Sequence, residues 1–279
     1  MMSDTRRSLL ITGCSSGIGY HCAHAMRARG WRVFASCRQQ ADCDRLTAEG
    51  FEAPRIDYAD EASIAAGIDA VLQATGGRLD ALFNNGAHAC PGAVEDLPTG
   101  ALREILQVNV LGWHELTRRV IPVMRAQGHG RIVQNSSVLG YTPYRWRGAY
   151  GTSKFAIEGL SRILQLELSD TPIKVVLIQP GPVASKIRVN SIPHFERWVD
   201  WRNSPRRAQY EGSLLQRLYQ GGPKDRWELG PESVARVLVK AIESANPRPR
   251  YTVTVPAALM AWAVRLLPER TLLAILSRQ

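Results

Sequence analysis

Short apolar runs alternate with longer amphipathic stretches through the first two-thirds of the chain. Residues 8–12 (SLLIT) read as a buried strand, 19–29 as a helix ended by Gly30, and 31–37 (WRVFASC) as a second strand. Residues 53–57 predict a weak third strand. Residues 62–75 carry Ile64, Ile68, Val71 and Leu72 on one helical face. A strand at 79–84 (LDALFN) runs into an Asn85-Gly86 turn. One or two helices are expected over 99–127, a strand over 131–135 (RIVQN), a helix over 149–169 and a strand over 174–179 (KVVLIQ), stopped by Pro180-Gly181-Pro182. Strands alternating with helices in this way predict an α/β, doubly wound parallel sheet of the Rossmann type, covered by helices on both faces.

Beyond Val183 the alternation fades. Residues 184–228 are polar, rich in arginine and studded with aromatics. A helix is expected over 231–244, a last strand over 250–255 (RYTVTV), and an apolar tail over 257–276 that splits into two short helices at Pro268. Arg265, Pro268, Glu269 and Arg270 interrupt that tail, so no transmembrane segment is expected, although peripheral contact with a membrane stays open.

The whole chain, 279 residues, is expected to be a single domain whose core needs no disulfide or metal staple. Its composition, 45% hydrophobic and 22% charged, excludes collagenous, coiled-coil and long disordered classes. The formal charge of +10 is scattered rather than gathered into a basic stripe, and no nucleic-acid partner is expected. The five cysteines match no zinc spacing and read as reduced thiols. With no signal peptide evident in MMSDTRRSLLITG, the expected location is cytoplasmic. The six histidines suggest no ligand cluster along the sequence, so no metal is expected.

Two stretches carry chemistry. The first is the loop Gly13-Cys14-Ser15-Ser16-Gly17-Ile18-Gly19, between the first strand and the first helix. Gly13 permits a tight turn, Gly17 lets a pyrophosphate approach the backbone, and Gly19 lets helix and strand pack closely. The helix N-terminus offers N–H groups to phosphates. No carboxylate ends the second strand to bind a ribose 2′-hydroxyl. Arg38 stands there instead and suits a 2′-phosphate, with Ser16 as a further donor, which favours NADP(H) over NAD(H).

The second stretch is Tyr150-Gly151-Thr152-Ser153-Lys154. On a helix Tyr150 and Lys154 share a face, and an ammonium near a phenol is expected to lower the phenol pKa and make it a general acid–base. Ser137 precedes Tyr150 by 13 residues, just past the strand RIVQN.

Taken in order, TGCSSGIG at 12–19, Asn84-Asn85-Gly86-Ala87, Asn109 within QVNVLG, Ser136-Ser137, YGTSK at 150–154 and PGPV at 180–183 resemble the classical short-chain dehydrogenase/reductase family, over residues 8 to about 185. The resemblance implies that Tyr150 exchanges a proton with the substrate oxygen and that Ser137 hydrogen-bonds that oxygen. It implies that Lys154 holds the nicotinamide ribose and depresses the Tyr150 pKa, and that Asn109 kinks its helix and holds a relay water. Asp57 would contact the adenine, Asn85 and Gly86 would stand beside the cofactor, and Pro180, Gly181 and Val183 would line the nicotinamide. Two departures from the family pattern are Asn-Asn-Gly-Ala for its usual Asn-Asn-Ala-Gly, and Ser185 where a threonine often donates to the carboxamide.

Details such as GCSSGIG, SKFAIEGL and GPV resemble the branch of 17β-hydroxysteroid and retinol dehydrogenases. The implied activity is hydride transfer between NADP(H) and a carbonyl or secondary alcohol, with a bulky apolar ketone, aldehyde, steroid or retinoid as substrate. The segment 186–228, with Phe195, Trp198, Trp201, Tyr210, Tyr219 and Trp227, is expected to form a substrate lid. The tail 257–279 would cap the pocket, join subunits or touch a membrane. A homodimer or homotetramer is implied by resemblance alone. The alternatives are an acyl-carrier 3-ketoacyl reductase and a non-catalytic cofactor-sensing regulator.

Overall fold

A computed structural model describes residues 6–221 and 226–277. In chain order the elements are β1 (Ser8–Ile11), α1 (Gly17–Ala28), β2 (Arg32–Ala35), α2 (Gln40–Ala48), α3 (Glu61–Thr75), β3 (Ala81–Asn84), α4 (Thr99–Leu106), α5 (Gly112–Ala126), β4 (Gly130–Asn135), α6 (Gly148–Glu167) and β5 (Ile173–Gln179). Then come α7 (Ile187–Asn190), α8 (Ile192–Trp198), α9 (Arg207–Gln209), α10 (Glu232–Glu243), β6 (Arg250–Thr252), α11 (Val255–Leu266) and α12 (Glu269–Leu276).

All strand pairs are parallel, in the order β2-β1-β3-β4-β5-β6. The side-chain alternation of β1 divides the core. Leu9 and Ile11 pack with Met26 of α1 and Val234 and Leu238 of α10. Leu10 faces the other way, against Ile64 and Ile68 of α3, Trp113 and Leu116 of α5, and Ile157 of α6. The chain reverses direction across the sheet at β1, between β2 and β3. That reversal opens a crevice at the carboxyl ends of the strands, where open α/β sheets place their ligands.

Several expectations change. Residues 53–57 form no strand; single parallel bridges, Phe34–Glu52 and Cys37–Arg55, stand there instead. Pro54, between the two, has no N–H to continue a ladder. A helix not read from sequence, α2, precedes it; its stripe is thin, with only Cys43 and Leu46 buried. The 99–127 stretch is two helices joined by a π-helical turn at Gln107–Leu111. The last strand ends at Thr252, because Thr254 caps α11 by accepting from Ala257 N (3.3 Å) and Val255 and Pro256 open that helix.

The 186–228 segment builds a small core of its own. Phe195, Val199, Tyr210, Leu214 and Leu218 pack on Cys90, Ala93 and Ala101. The Tyr210 hydroxyl donates to Asp96 (2.8 Å) and accepts from Ala93 N (2.8 Å). Two of the expected lid aromatics, Phe195 and Tyr210, are therefore structural, while Tyr219 and Trp227 are exposed. Residues 222–225 of this segment, and the last two of the 257–279 tail, lie outside the described residues. The tail divides at Pro268 as expected, and among the described residues no helix is long and apolar enough to cross a membrane.

Candidate active site

The glycine loop sits in the crevice. Gly13 (φ +68°) and Gly17 (φ +58°) adopt backbone conformations that L side chains rarely take. A Cβ on Gly13 would lie 2.6 Å from Gly86 Cα, and one on Gly19 would lie 2.3 Å from Gly13 O. Both positions therefore need glycine for close approach, and Gly86 is tied to the same contact. Over Gly17 the space is open apart from Ser185, whose Cβ would be 3.7 Å away. Ser16, the N-cap of α1, makes no side-chain cap bond, so the first N–H groups of the helix are not claimed by it. Ile18 packs against the core, and Ser15 O accepts from Arg45 Nη2 (2.8 Å), a brace supplied by the unforeseen α2.

Asn85 fastens this loop to the sheet. Its Nδ2 donates to Thr12 O (3.0 Å) and Gly13 O (3.3 Å), and its Oδ1 accepts from Asn135 Nδ2 (2.8 Å). Thr12, missed in the sequence, is a hub: its Oγ1 accepts from Asn85 N, Gly86 N and the Tyr58 hydroxyl. Arg38 lies just past β2 and is exposed; its main-chain O accepts from Arg55 Nε (3.0 Å), and its guanidinium has no ion pair among the described residues. Asp57 is held in a local turn: its Oδ1 accepts from Ala59 N (3.0 Å) and its N donates to Ser63 Oγ (3.0 Å).

Asn109 stands in the π-helical turn, fully buried. Its Oδ1 accepts from His88 N (3.1 Å), and its Nδ2 donates to His88 O (2.9 Å) and Ser153 Oγ (3.1 Å). Ser137 begins the turn after β4, where its Oγ accepts from Leu139 N (3.1 Å). Its hydroxyl also faces Tyr150, whose ionised form it favours. The neighbouring Ser136 Oγ is buried without a partner among the described residues.

Lys154 is buried on α6. Its Nζ donates to Asn135 O (2.8 Å) and lies 4.3 Å from the centroid of Trp113 and 5.5 Å from that of Tyr150. Burial pulls Lys154 down to about 7, opposed by Glu158. Burial pushes Tyr150 up to about 12, opposed by the Arg147 charge and the Ser137 hydroxyl. This corrects the expected lowering of the Tyr150 pKa by Lys154. The ammonium is turned toward Asn135 and Trp113, and the cation that opposes burial is Arg147, at the start of α6. Arg147 precedes Tyr150 by three residues, and that helical spacing is the signal that could have pointed to it.

The segment after β5 closes the crevice. Pro180 O accepts from Val138 N (2.8 Å), next to Ser137. A Cβ on Gly181 would lie 2.2 Å from Thr254 Oγ1. Val183 bridges to Leu229, and Ser185 reaches the open space over Gly17. The structure thus gathers Gly13, Gly17, Gly19, Asn85, Gly86, Asn109, Ser137, Tyr150, Lys154, Pro180, Gly181, Val183 and Ser185 at one end of the sheet. Arg38 and Asp57 lie further out along β2 and the turn before α3. The crowded Gly13–Gly86–Gly19 contacts and the uncovered Gly17 fit a pyrophosphate-bearing dinucleotide.

The expectation that the histidines stand apart is overturned. The His88 and His194 rings stack with centroids 4.1 Å apart, and Glu104 lies against both. Burial, chiefly, lowers His88 to about 4.

A sequence model of the family described as short chain dehydrogenase matches residues 7–194. The uncharacterized oxidoreductase YbbO of Escherichia coli is 35% identical over 275 residues, covering 97% of this chain and 94% of that protein. Retinol dehydrogenase 8 of Bos taurus is 30% identical over 260 residues, covering 88% and 81%. Among solved structures, a short-chain dehydrogenase/reductase from Burkholderia phymatum in complex with NAD superposes with a TM-score of 0.78 at 27% identity, covering 95% of this chain and 94% of that one.

Proposed function

The chain belongs to the short-chain dehydrogenase family, and from that premise we propose that it is an NADP(H)-dependent reductase of a bulky apolar ketone or aldehyde, or the reverse alcohol dehydrogenase. One observation carries this reading: the half-buried Tyr150 phenol stands where the Ser137 hydroxyl and the Arg147 charge both favour its ionised form. A phenol held near 12 is protonated at neutral pH, so it starts as a proton donor, which suits reduction. As Tyr150 passes its proton to a carbonyl oxygen, negative charge develops on its own oxygen, where the Ser137 hydroxyl and the Arg147 charge stabilise it. Ser137 also serves as the hydrogen-bond partner of the substrate oxygen.

A bound nicotinamide dinucleotide supplies or accepts the hydride. The glycine loop of Gly13, Ser15, Ser16, Gly17, Ile18 and Gly19 would hold its phosphates, Arg38 a 2′-phosphate, Asp57 the adenine, and Lys154 the ribose hydroxyls. Asn85, Gly86, Pro180, Gly181, Val183 and Ser185 would flank it. Asn109 fixes the loop at His88 by two main-chain bonds and so positions the β3 end of the cleft. An NADP preference rests on Arg38 and on the lack of a carboxylate after β2; a similar structure binds NAD, so the choice is put to test. The apolar substrate class is supported by the similarity to a retinol dehydrogenase.

The test follows NADPH and NADH consumption against steroids, retinoids, long-chain aldehydes and small ketones. Tyr150→Phe should lower turnover by about 10²–10⁴-fold. Retained turnover in that variant refutes the assigned proton donor, and a preference for NADH refutes the role of Arg38.

A further inference from the structure

We propose that His88, Glu104 and His194 form a binding site for one divalent transition-metal ion of the zinc type. The three residues come from separate segments: the loop after β3, helix α4 and helix α8. Their ligand atoms nevertheless all lie within 4.8 Å of one another. A tetrahedral ion with bonds of about 2.0–2.2 Å sets its ligand atoms about 3.3–3.6 Å apart. His88 Nε2 stands 3.7 Å from Glu104 Oε1, already near that spacing. His194 Nδ1 is 2.6 Å from the same oxygen, and opening that bond by about 1 Å while the His194 ring turns out of its stack on His88 admits the ion. The proton the two share leaves as the metal enters.

The donor set decides the ion. Two imidazoles and one carboxylate suit zinc and its neighbours, whereas magnesium and calcium demand oxygen ligands. The surroundings orient the carboxylate. Glu104 Oε2 accepts from Trp198 Nε1 (3.0 Å) and Arg197 Nη1 (3.2 Å), which leaves Oε1 for both rings. Among the described residues the His88 ring makes no hydrogen bond, while its main chain is clamped by Asn109 on both sides. The Glu104 and His194 side chains are 24% and 21% exposed, which provides an entry path and room for a water as fourth ligand. An ion there fastens α8, and with it the small core around Phe195 and Tyr210, to the loop that Asn109 holds beside the cleft.

The test is calorimetric titration of the chelator-treated chain with Zn²⁺. One ion per chain is expected. His194→Gln and Glu104→Gln should each weaken binding at least tenfold, while His24→Gln, in the separate His24–Glu49 pair, leaves it unchanged. Co²⁺ in place of zinc should give the visible absorption of a tetrahedral site, lost in both ligand variants. The unmodified protein alone also reports, because its unfolding midpoint should rise with Zn²⁺ concentration. No one-to-one isotherm and no midpoint rise in the parent, or full affinity in both ligand variants, overturns the proposal and leaves the hydride-transfer reading untouched.

Discussion

Gly19→Ala tests the geometry of the nucleotide crevice directly. The new methyl would sit 2.3 Å from Gly13 O and 2.7 Å from Asn85 Nδ2, whereas ordinary contacts of this kind stand at 3.4–4 Å. The backbone of Gly13 cannot yield, since it already abuts Gly86, and Asn85 Nδ2 cannot yield without stretching its bonds to Thr12 O and Gly13 O. Overpacking of this kind costs about 1–3 kcal/mol, and a weakened amide hydrogen bond about 1 kcal/mol more. A total of about 2–4 kcal/mol lowers the unfolding midpoint by roughly 4–16 °C for a chain of this size. Gly159→Ala is the internal control: it lies within α6, nothing stands within 4 Å of its added Cβ, and it should gain about 0.5–1 kcal/mol. Calorimetry and nucleotide binding, read by quenching of tryptophan fluorescence, measure both effects. If Gly19→Ala unfolds within about 1 °C of the parent and binds nucleotide equally well, the crevice described here is wrong.

Arg38→Ala should raise the KM for NADPH by about 10–100-fold through loss of charge-assisted hydrogen bonds, with the KM for NADH little changed; equal shifts for both would remove Arg38 from the 2′-phosphate. Asn109→Ala strips the bonds from His88 N and O and should destabilise the fold by about 2–4 kcal/mol in urea titrations, where a loss below about 0.5 kcal/mol would make the clamp incidental. Lys154 is held near 7 when folded and at its ordinary 10.5 when unfolded, so between those values the unfolded chain carries the extra proton. Stability from this group therefore rises with pH, by up to about 1.4 kcal/mol per unit from pH 7 to 9 relative to Lys154→Met. A difference curve that is flat or falls over that range contradicts the burial of the ammonium.

The sheet and the chemistry were legible for related reasons. Buried parallel strands write themselves as apolar runs, such as SLLIT and KVVLIQ, and the glycine loop leaves fixed spacings because backbone contact admits no Cβ. Tyr150 and Lys154 were legible as one helical face, but the direction of the ammonium was not. It is set by Asn135 O and Trp113, which lie 19 and 41 residues before Lys154. Helix α2 escaped because its buried stripe is only Cys43 and Leu46, and 53–57 was over-read because its extended residues pair only at isolated points around Pro54. The stacked histidines were invisible because no local spacing joins them as it joins Arg147 and Tyr150. They are brought together across 106 positions by the docking of α8 on α4, and no periodicity encodes that distance.

The strand-to-helix passage from Pro180 to Ser185 has a mechanical consequence. Its first residue is bonded to the turn that begins at Ser137, and its last hangs over Gly17. Six residues extend at most about 20 Å, so the two anchorages lie no further apart than that. Between its ends the strip is pinned to Leu229, which accepts from Ala184 N (2.9 Å) and donates to Pro182 O (3.2 Å). The floor of the phosphate site and the turn that carries Ser137 are therefore held at a set separation by one strip of main chain.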